Sequence, residues 1–363
     1  MDDFDKGGTD FTWSLGRWPI VSRWAMLVGL SLILTVALEL ARMPAALLLA
    51  PMIAGIVLSG LEADLKVPQL AFTLASSVVG CLMARSLPAS IFVELVKDWP
   101  IYALGIGSVI AVAAGLGILL TKLRVFPGTT AIWGSAPGAA TAMVLMADAF
   151  GADARLVAFM AYLRVALVAL VASLVARFAT TGGAAPPPPD WFAPFAPLPF
   201  LLTLALVACG YLVARFTRVP AGSMMVPMVL GVLLQDLAGA SLELPPLLLA
   251  CCYAIVGWAI GLRFTRPILA HAARALPAAM ASMISLIAIC GLFAMALVWF
   301  AGVDPLTAYL ATSPGGADSV AIIAANTPVD VPFVMAMQAG RFIVVLLTGP
   351  ALARWIATRS WLK

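Results

Sequence analysis

Apolar stretches of about twenty residues run through the chain, cut by short polar or helix-breaking joints. A helix needs about 20 mainly apolar residues to cross a bilayer. Stretches near that length lie at 24–40, 45–60, 68–84, 99–121 and 156–176, and again at 198–216, 221–237, 246–262, 277–301 and 332–353. Two further segments, 131–150 and 307–327, are apolar enough to enter a membrane but are broken by Pro-Gly. The joint at 179–197 holds Gly182-Gly183 and the run Pro186 to Pro189, which predicts an extended linker. The pattern predicts an all-α polytopic membrane protein. Residues 1–22 form a tail, 23–178 a first membrane repeat, 179–197 the linker, 198–357 a second repeat and 358–363 a second tail.

The word repeat is meant literally. Gly134-Ser135-Ala136-Pro137-Gly138-Ala139-Ala140 is answered by Ala311-Thr312-Ser313-Pro314-Gly315-Gly316-Ala317. An offset of 177 also pairs Gly80 with Gly257, Pro100 with Pro277, Asp153 with Asp330 and Arg164 with Arg341. Upstream the offset is 176, pairing Pro51 with Pro227 and Gly55 with Gly231, as a one-residue loop insertion would leave it. Duplicated halves, each with a broken segment followed by an intramembrane arginine, read as a membrane transporter.

Composition fits: 63% of residues are hydrophobic and 10% charged, with mean hydropathy +1.07, against about half and a quarter in soluble domains. Charge then decides between topologies. If the two Pro-Gly segments are re-entrant, each half crosses five times and the second half is inverted. With the N-terminus inside, only Arg42, Arg85, Lys97 and Arg177 then lie outside, while Arg164 and Arg341 stay in the membrane and the remaining 15 of the 21 Lys and Arg lie inside. If the segments span, the division is 10 inside against 9 outside. Positive charge concentrates on the cytoplasmic side, so ten crossings, two re-entrant or broken segments and inverted repeats are expected, with both termini cytoplasmic in a bacterial inner membrane. The acidic start, with Asp2, Asp3 and Asp5, does not resemble a cleaved leader. Tryptophans 13, 18, 24, 99, 191, 258, 299, 355 and 361 fall mostly near span ends, as an aromatic belt requires.

The net charge of +4 is spread singly or in pairs, which gives no footprint for nucleic acid. Cys81, Cys209, Cys251, Cys252 and Cys290 all lie in apolar runs and read as small core residues. The single histidine, His271, lies in the charged stretch 263–276, read as a solvated loop. No residues have metal-ligand spacing, no cofactor is implied, and the want of a catalytic cluster makes an enzyme the least expected reading.

Chemistry concentrates at the breaks. Proline removes a backbone donor and glycine permits a sharp turn. A helix restarting after Pro137-Gly138 or Pro314-Gly315-Gly316 would aim unpaired N–H groups at the break, a ready place for an anion; a turn serving only packing is the plainer alternative. Arg164 and Arg341 lie roughly 12 Å into their spans. A charge at that depth costs at least about 2.5–3.5 kcal/mol and must face the bundle interior or a wet cavity. Each arginine either holds an anionic substrate or pairs with an acid, the plainer alternative being a fixed internal salt bridge with no ligand. Candidate substrate contacts are therefore Ser135, Pro137, Gly138, Arg164, Ser313, Pro314, Gly315, Gly316, Gln338 and Arg341, with Gln338 three residues before Arg341 and on its face. Asp318 stands where the first copy has Thr141, and Asp148 where the second has Ala325. Asp318, Asp153 and Asp330 are candidates for a coupling ion, with helix capping as the alternative role of each.

The segments Trp133–Arg164 and Leu310–Arg341 resemble the AbrB-type membrane protein family, and the resemblance runs from about 25 to 357. Members carry the labels ammonia monooxygenase and regulator of gene expression. Neither follows from these residues: the first would need several metal-binding side chains, the second a basic soluble module. The first copy departs from the second at Ala139 and Thr141, where Gly316 and Asp318 stand. The expectation is a secondary transporter of a small anionic metabolite, coupled to H⁺ or Na⁺ and embedded in the lipid bilayer, with a membrane-bound regulator acting indirectly on gene expression as the alternative. A homodimer is compatible with the pattern.

Overall fold

The computed structural model describes residues 15, 18–87, 96–126, 129–136, 143, 147, 152–179, 191, 194–217, 222–273 and 275–357. The C-terminal tail, most of the N-terminal tail and most of the linker expected at 179–197 lie outside them, and α1 begins at Ile20, inside the tail expected at 1–22. The described chain is helical. Helices α1 (Ile20–Leu40), α2 (Ala46–Gly60), α3 (Gln69–Ser86), α4 (Trp99–Lys122), α5 (Thr130–Ser135) and α6 (Ala154–Ala179) form the first half. The second half holds α7 (Pro197–Thr217), α8 (Gly222–Ala238), α9 (Pro246–Gly261), α10 (Arg266–Ala272), α11 (Leu276–Ala301), α12 (Pro305–Thr312), α13 (Ala317–Ala325) and α14 (Val331–Ala357). The offset of the sequence repeat carries α1 onto α7, α2 onto α8, α3 onto α9, α4 onto α11, α5 onto α12 and α6 onto α14.

Local chemistry sets many of the boundaries. Proline occupies the first turn of α4, α9, α10, α11 and α12, where its missing N–H costs nothing. Gly302, with φ +65°, ends α11 in the left-handed region, and Asp304 then caps α12 by accepting from the amides of Leu306 and Thr307 at 3.1 and 3.0 Å.

Among the described residues, five helices are long and apolar enough to cross a membrane: α1, α4, α6, residues Pro197–Phe216 of α7, and α11. The pair α9 and α10, bent by 49°, makes a sixth if counted together. Among the ten stretches expected from sequence, α2 and α8 are shorter apolar helices, of 15 and 17 residues. α2 packs against α9 and α8 against α3, so each short helix buries one face on a helix of the other half. The faces that do project outward are apolar, for example Leu32 and Ile33 on α1, Leu104 on α4, Leu201 on α7 and Leu292 on α11.

The helices sort into two groups, and each group takes the same elements from both halves. One comprises α1, α2, α3, α7, α8 and α9, whose most extensive contacts are α3 on α8 and α2 on α9. The other comprises α4, α5, α6, α11, α12, α13 and α14, with α5 on α6, α12 on α14, and α4 on α11. The first group depends on glycines that allow backbone to touch backbone. A Cβ on Gly80 would lie 2.3 Å from Met224 O, and one on Gly257 2.6 Å from Leu48 O. These are the two glycines that the offset of 177 pairs. Ser59 Oγ donates to Leu262 O at 3.2 Å, and Gln235 Nε2, at the position equivalent to Ser59, donates to Ala84 O at 2.8 Å. The second group holds the breaks, and α3 and α9 meet it through α13, α14 and α6.

Candidate functional site

Helix α12 ends at Thr312, and the chain crosses Ser313, Pro314, Gly315 and Gly316 before α13 begins at Ala317. The last carbonyls of α12 therefore lack helical partners, and α14 supplies them. Arg341 donates from Nη1 to Ser313 O and from Nη2 to Gly315 O, the second at 2.7 Å. Gln338, one turn earlier, donates from Nε2 to Leu310 O at 2.7 Å and also reaches Ser313 O at 3.3 Å. A cation at the C-terminal end of α12 is favoured by the helix dipole as well. The gap is narrow, since a Cβ on Gly315 would lie 2.8 Å from Val168 Cγ1 of α6. The break of the second half thus presses on the arginine-bearing helix of the first.

The first half repeats this where it is described. Arg164 Nη1 donates to Ala136 O at 2.6 Å and to Ser135 O at 3.4 Å, just past the end of α5. Adding 177 turns Ala136 into Ser313 and Arg164 into Arg341. Ser135 Oγ donates back to Ala131 O at 2.7 Å, as Thr312 Oγ1 does to Ala308 O at 2.9 Å. Ser313 Oγ donates to Leu310 O at 2.9 Å. Pro137 and Gly138, with Thr141 and Asp148, lie outside the described residues.

Charge is distributed unevenly over this centre. Arg164 and Arg341 are each 4% exposed, and the break that Arg341 holds lies against Val165 and Val168, on the helix that carries Arg164. Among the described residues the ion pairs are Arg266–Glu62 and His271–Asp153, so neither buried arginine has a carboxylate within ion-pair distance. The Nε atoms of both arginines and the Oε1 atom of Gln338 are buried without a hydrogen-bond partner. Partly buried Asp318 sits in the first turn of α13, where its Oδ1 accepts from the Ser319 amide at 2.9 Å. One of the amides that an anion would meet at that helix start is already engaged. Ser319 Oγ donates to Gly316 O at 3.0 Å.

Asp153 and Asp330 stand at helix starts. Asp153 Oδ1 accepts from Arg155 N and Leu156 N at 3.0 and 3.1 Å, and Asp330 Oδ1 from Phe333 N at 3.0 Å. Their own amides donate to Thr130 Oγ1 and Thr307 Oγ1, each at 3.1 Å, a matched pair of contacts that sequence reasoning missed. The signal was present, since Thr130 and Thr307 are also 177 apart. Each aspartate closes the loop between a broken segment and its arginine helix.

The stretch 263–276, read from sequence as a solvated loop, contains the short helix α10. His271 on it meets Asp153 Oδ2 at 2.7 Å. Arg266 pairs with Glu62 at 2.8 Å, and Arg263 Nη1 donates to Tyr162 Oη at 2.5 Å while its guanidinium lies 4.8 Å from that ring's centre. Proline at the first turn starts this helix, and the charged side chains, scattered along the sequence, find partners on α6 and the α2–α3 connection. Burial alone would raise the Asp153 carboxyl. The His271 hydrogen bond and the amides of Leu156 and Arg155 outweigh it and hold the group below the usual carboxylate value.

Comparison with known proteins places this architecture. A family model described as "Transition state regulatory protein AbrB" matches residues 48–357. The chain is similar to "Putative regulator AbrB" of Escherichia coli (strain K12), with 44% identity over 93% of this chain and 97% of that protein. It is also similar to "Uncharacterized protein YhjN" of Bacillus subtilis (strain 168), with 25% identity over 77% of each. No solved structure matches.

Proposed function

We propose that this chain, which belongs to the AbrB family, is a secondary transporter that carries a small anion through the membrane. One observation supports the reading above the rest: two arginines, one from each half, are buried at the breaks with no carboxylate within ion-pair distance among the described residues. Burying like charges in an apolar interior is costly unless a counter-charge joins them. A bound anion is that counter-charge. The arginines brace their own breaks with part of each guanidinium, and the Nε groups have no partner in the protein.

In this reading the halves are inverted repeats in a bacterial inner membrane, with both termini cytoplasmic. The anion lies between Arg164 and Arg341, beside Ser135, Ser313 and Gly315, and is held by guanidinium charge more than by the start of α13. Asp318 is the coupling group for H⁺ or Na⁺. Asp153 and Asp330 serve as caps, because their carboxylates already accept backbone amides. The group holding the breaks moves against the group built on α2, α3, α8 and α9, giving each side access in turn.

A second reading, a membrane-bound regulator of gene expression, is favoured by the word regulator in the names of the family and of the Escherichia coli relative. The test is thermal unfolding of detergent-purified protein with phosphate, sulfate and small carboxylates, for wild type, Arg164→Gln and Arg341→Gln. A ligand that binds only the folded state at a hundred times its Kd stabilises it by about 2.7 kcal/mol. An anion-dependent rise in wild type, lost in both variants, supports the transporter. No rise with any anion overturns it in favour of the regulator.

A further inference from the structure

The amide of Gln338 is fixed in orientation. Its Nε2 donates to Leu310 O at 2.7 Å and reaches the Ala311 and Ser313 carbonyls at 3.4 and 3.3 Å, all acceptors, so the nitrogen belongs on that side. Its Oε1 then faces away from them, buried and without a donor. The residue is 0% exposed. An orphaned buried acceptor is destabilising and calls for an explanation. The amide also lies beside the site's charge, because Gln338 Nε2 and Arg341 Nη1 converge on the same oxygen, Ser313 O. The first half has Ala161 at the equivalent position, so this acceptor occurs once beside arginines that occur twice.

We infer that the anion of this site carries a hydrogen-bond donor of its own, a hydroxyl or an acidic O–H, and that Gln338 Oε1 accepts from it. The inference rests on the anion-site reading above and narrows it. Two guanidiniums suit a dianion, and the single acceptor gives the ligand one orientation between them. Plain dicarboxylates and sulfate leave Oε1 unpaired; hydroxylated dicarboxylates and hydrogen phosphate satisfy it. A site built to hydrogen-bond a ligand group rejects the analogue without it, because its own polar atom is then stranded. Gln338 is accordingly a specificity determinant.

Two matched pairs of probes test this at pH 7.5 with the full-length protein in detergent: malate against succinate, which differ by one hydroxyl, and inorganic phosphate against sulfate. Dissociation constants come from titration calorimetry. The expected result is a preference of about tenfold or more for the donor-bearing member of at least one pair, the size of one well-made buried hydrogen bond. Which pair discriminates tells a hydroxy acid from phosphate. In Gln338→Met the preference within that pair falls toward unity. Should Gln338→Met fail to fold, Gln338→Asn withdraws the same amide by one methylene and gives the same readout. Equal affinities within both pairs in wild type, or a preference that survives in the variant, overturn the inference and leave the anion site standing. Failure of all four probes to bind overturns the anion site itself, and the inference with it.

Discussion

Arg341 does two things at once, and its shape explains how. The planar fork lets Nη1 and Nη2 reach Ser313 O and Gly315 O together, which a single ammonium cannot do. Arg341→Lys keeps the charge and loses one of the two contacts. A hydrogen bond from a charged donor is worth about 1.5–3 kcal/mol, so the thermal midpoint of the purified variant is expected to fall. An unchanged midpoint would mean that the guanidinium does not hold the break. Asp153 supports a second prediction. Its carboxyl is held below the ordinary value, so its contribution is present above the unfolded-state value near 4 and is lost as pH falls through the lower folded value. Removing the His271 contact by His271→Ala moves that acid-side loss upward, toward pH about 4. Midpoints of both proteins measured between pH 3 and 6 would show the displacement, and superimposable profiles would mean that the contact contributes nothing. The arginines and the repeat-paired aspartates were legible as candidates, because a buried charge and an exact duplication both stand out against an apolar chain. Whether each acid caps or couples was not, because the same carboxylate at a helix start does either, depending on which amides it meets.

At the level of elements, the contacts of α2 with α9 and of α3 with α8 depend on the absence of side chains. A Cβ on Gly261 would lie 2.2 Å from Met52 O, whereas one on Gly291 of α11 would meet nothing within 4 Å. Gly261→Ala is therefore expected to destabilise by about 1–3 kcal/mol through overpacking. Gly291→Ala should be neutral or stabilising by about 0.5–1 kcal/mol, since alanine suits a helix better than glycine. Equal midpoints for the two variants would show that the close approach has been misplaced. The long apolar helices appeared within a few residues of their expected bounds, as with 99–121 against Trp99–Lys122 and 277–301 against Leu276–Ala301. The hydropathy of the chain sets those directly. Helix α10 was missed because a run with three arginines and one histidine looks like solvent-facing loop until Glu62, Tyr162 and Asp153 are seen to be its partners.

Across the whole molecule, the distribution of Lys and Arg predicts that both termini share the cytoplasmic side. A C-terminal fusion to a reporter active only in the cytoplasm should be active, and activity confined to a periplasmic reporter would refute the inverted arrangement. The sequence by itself determined that the chain is helical, apolar and double, and that each half has one break and one buried arginine. These are properties of composition and of a fixed offset, which need no coordinates. Only the tertiary structure decided that each arginine braces the break of its own half and that the second break presses against the first half's α6. The physical reason is that hydropathy reports how far a segment prefers to be from water, while neighbours from opposite halves are selected by close backbone approach at Gly80, Gly257 and Gly315. That selection depends on shape at contacts more than a hundred residues apart along the chain, which no local pattern records.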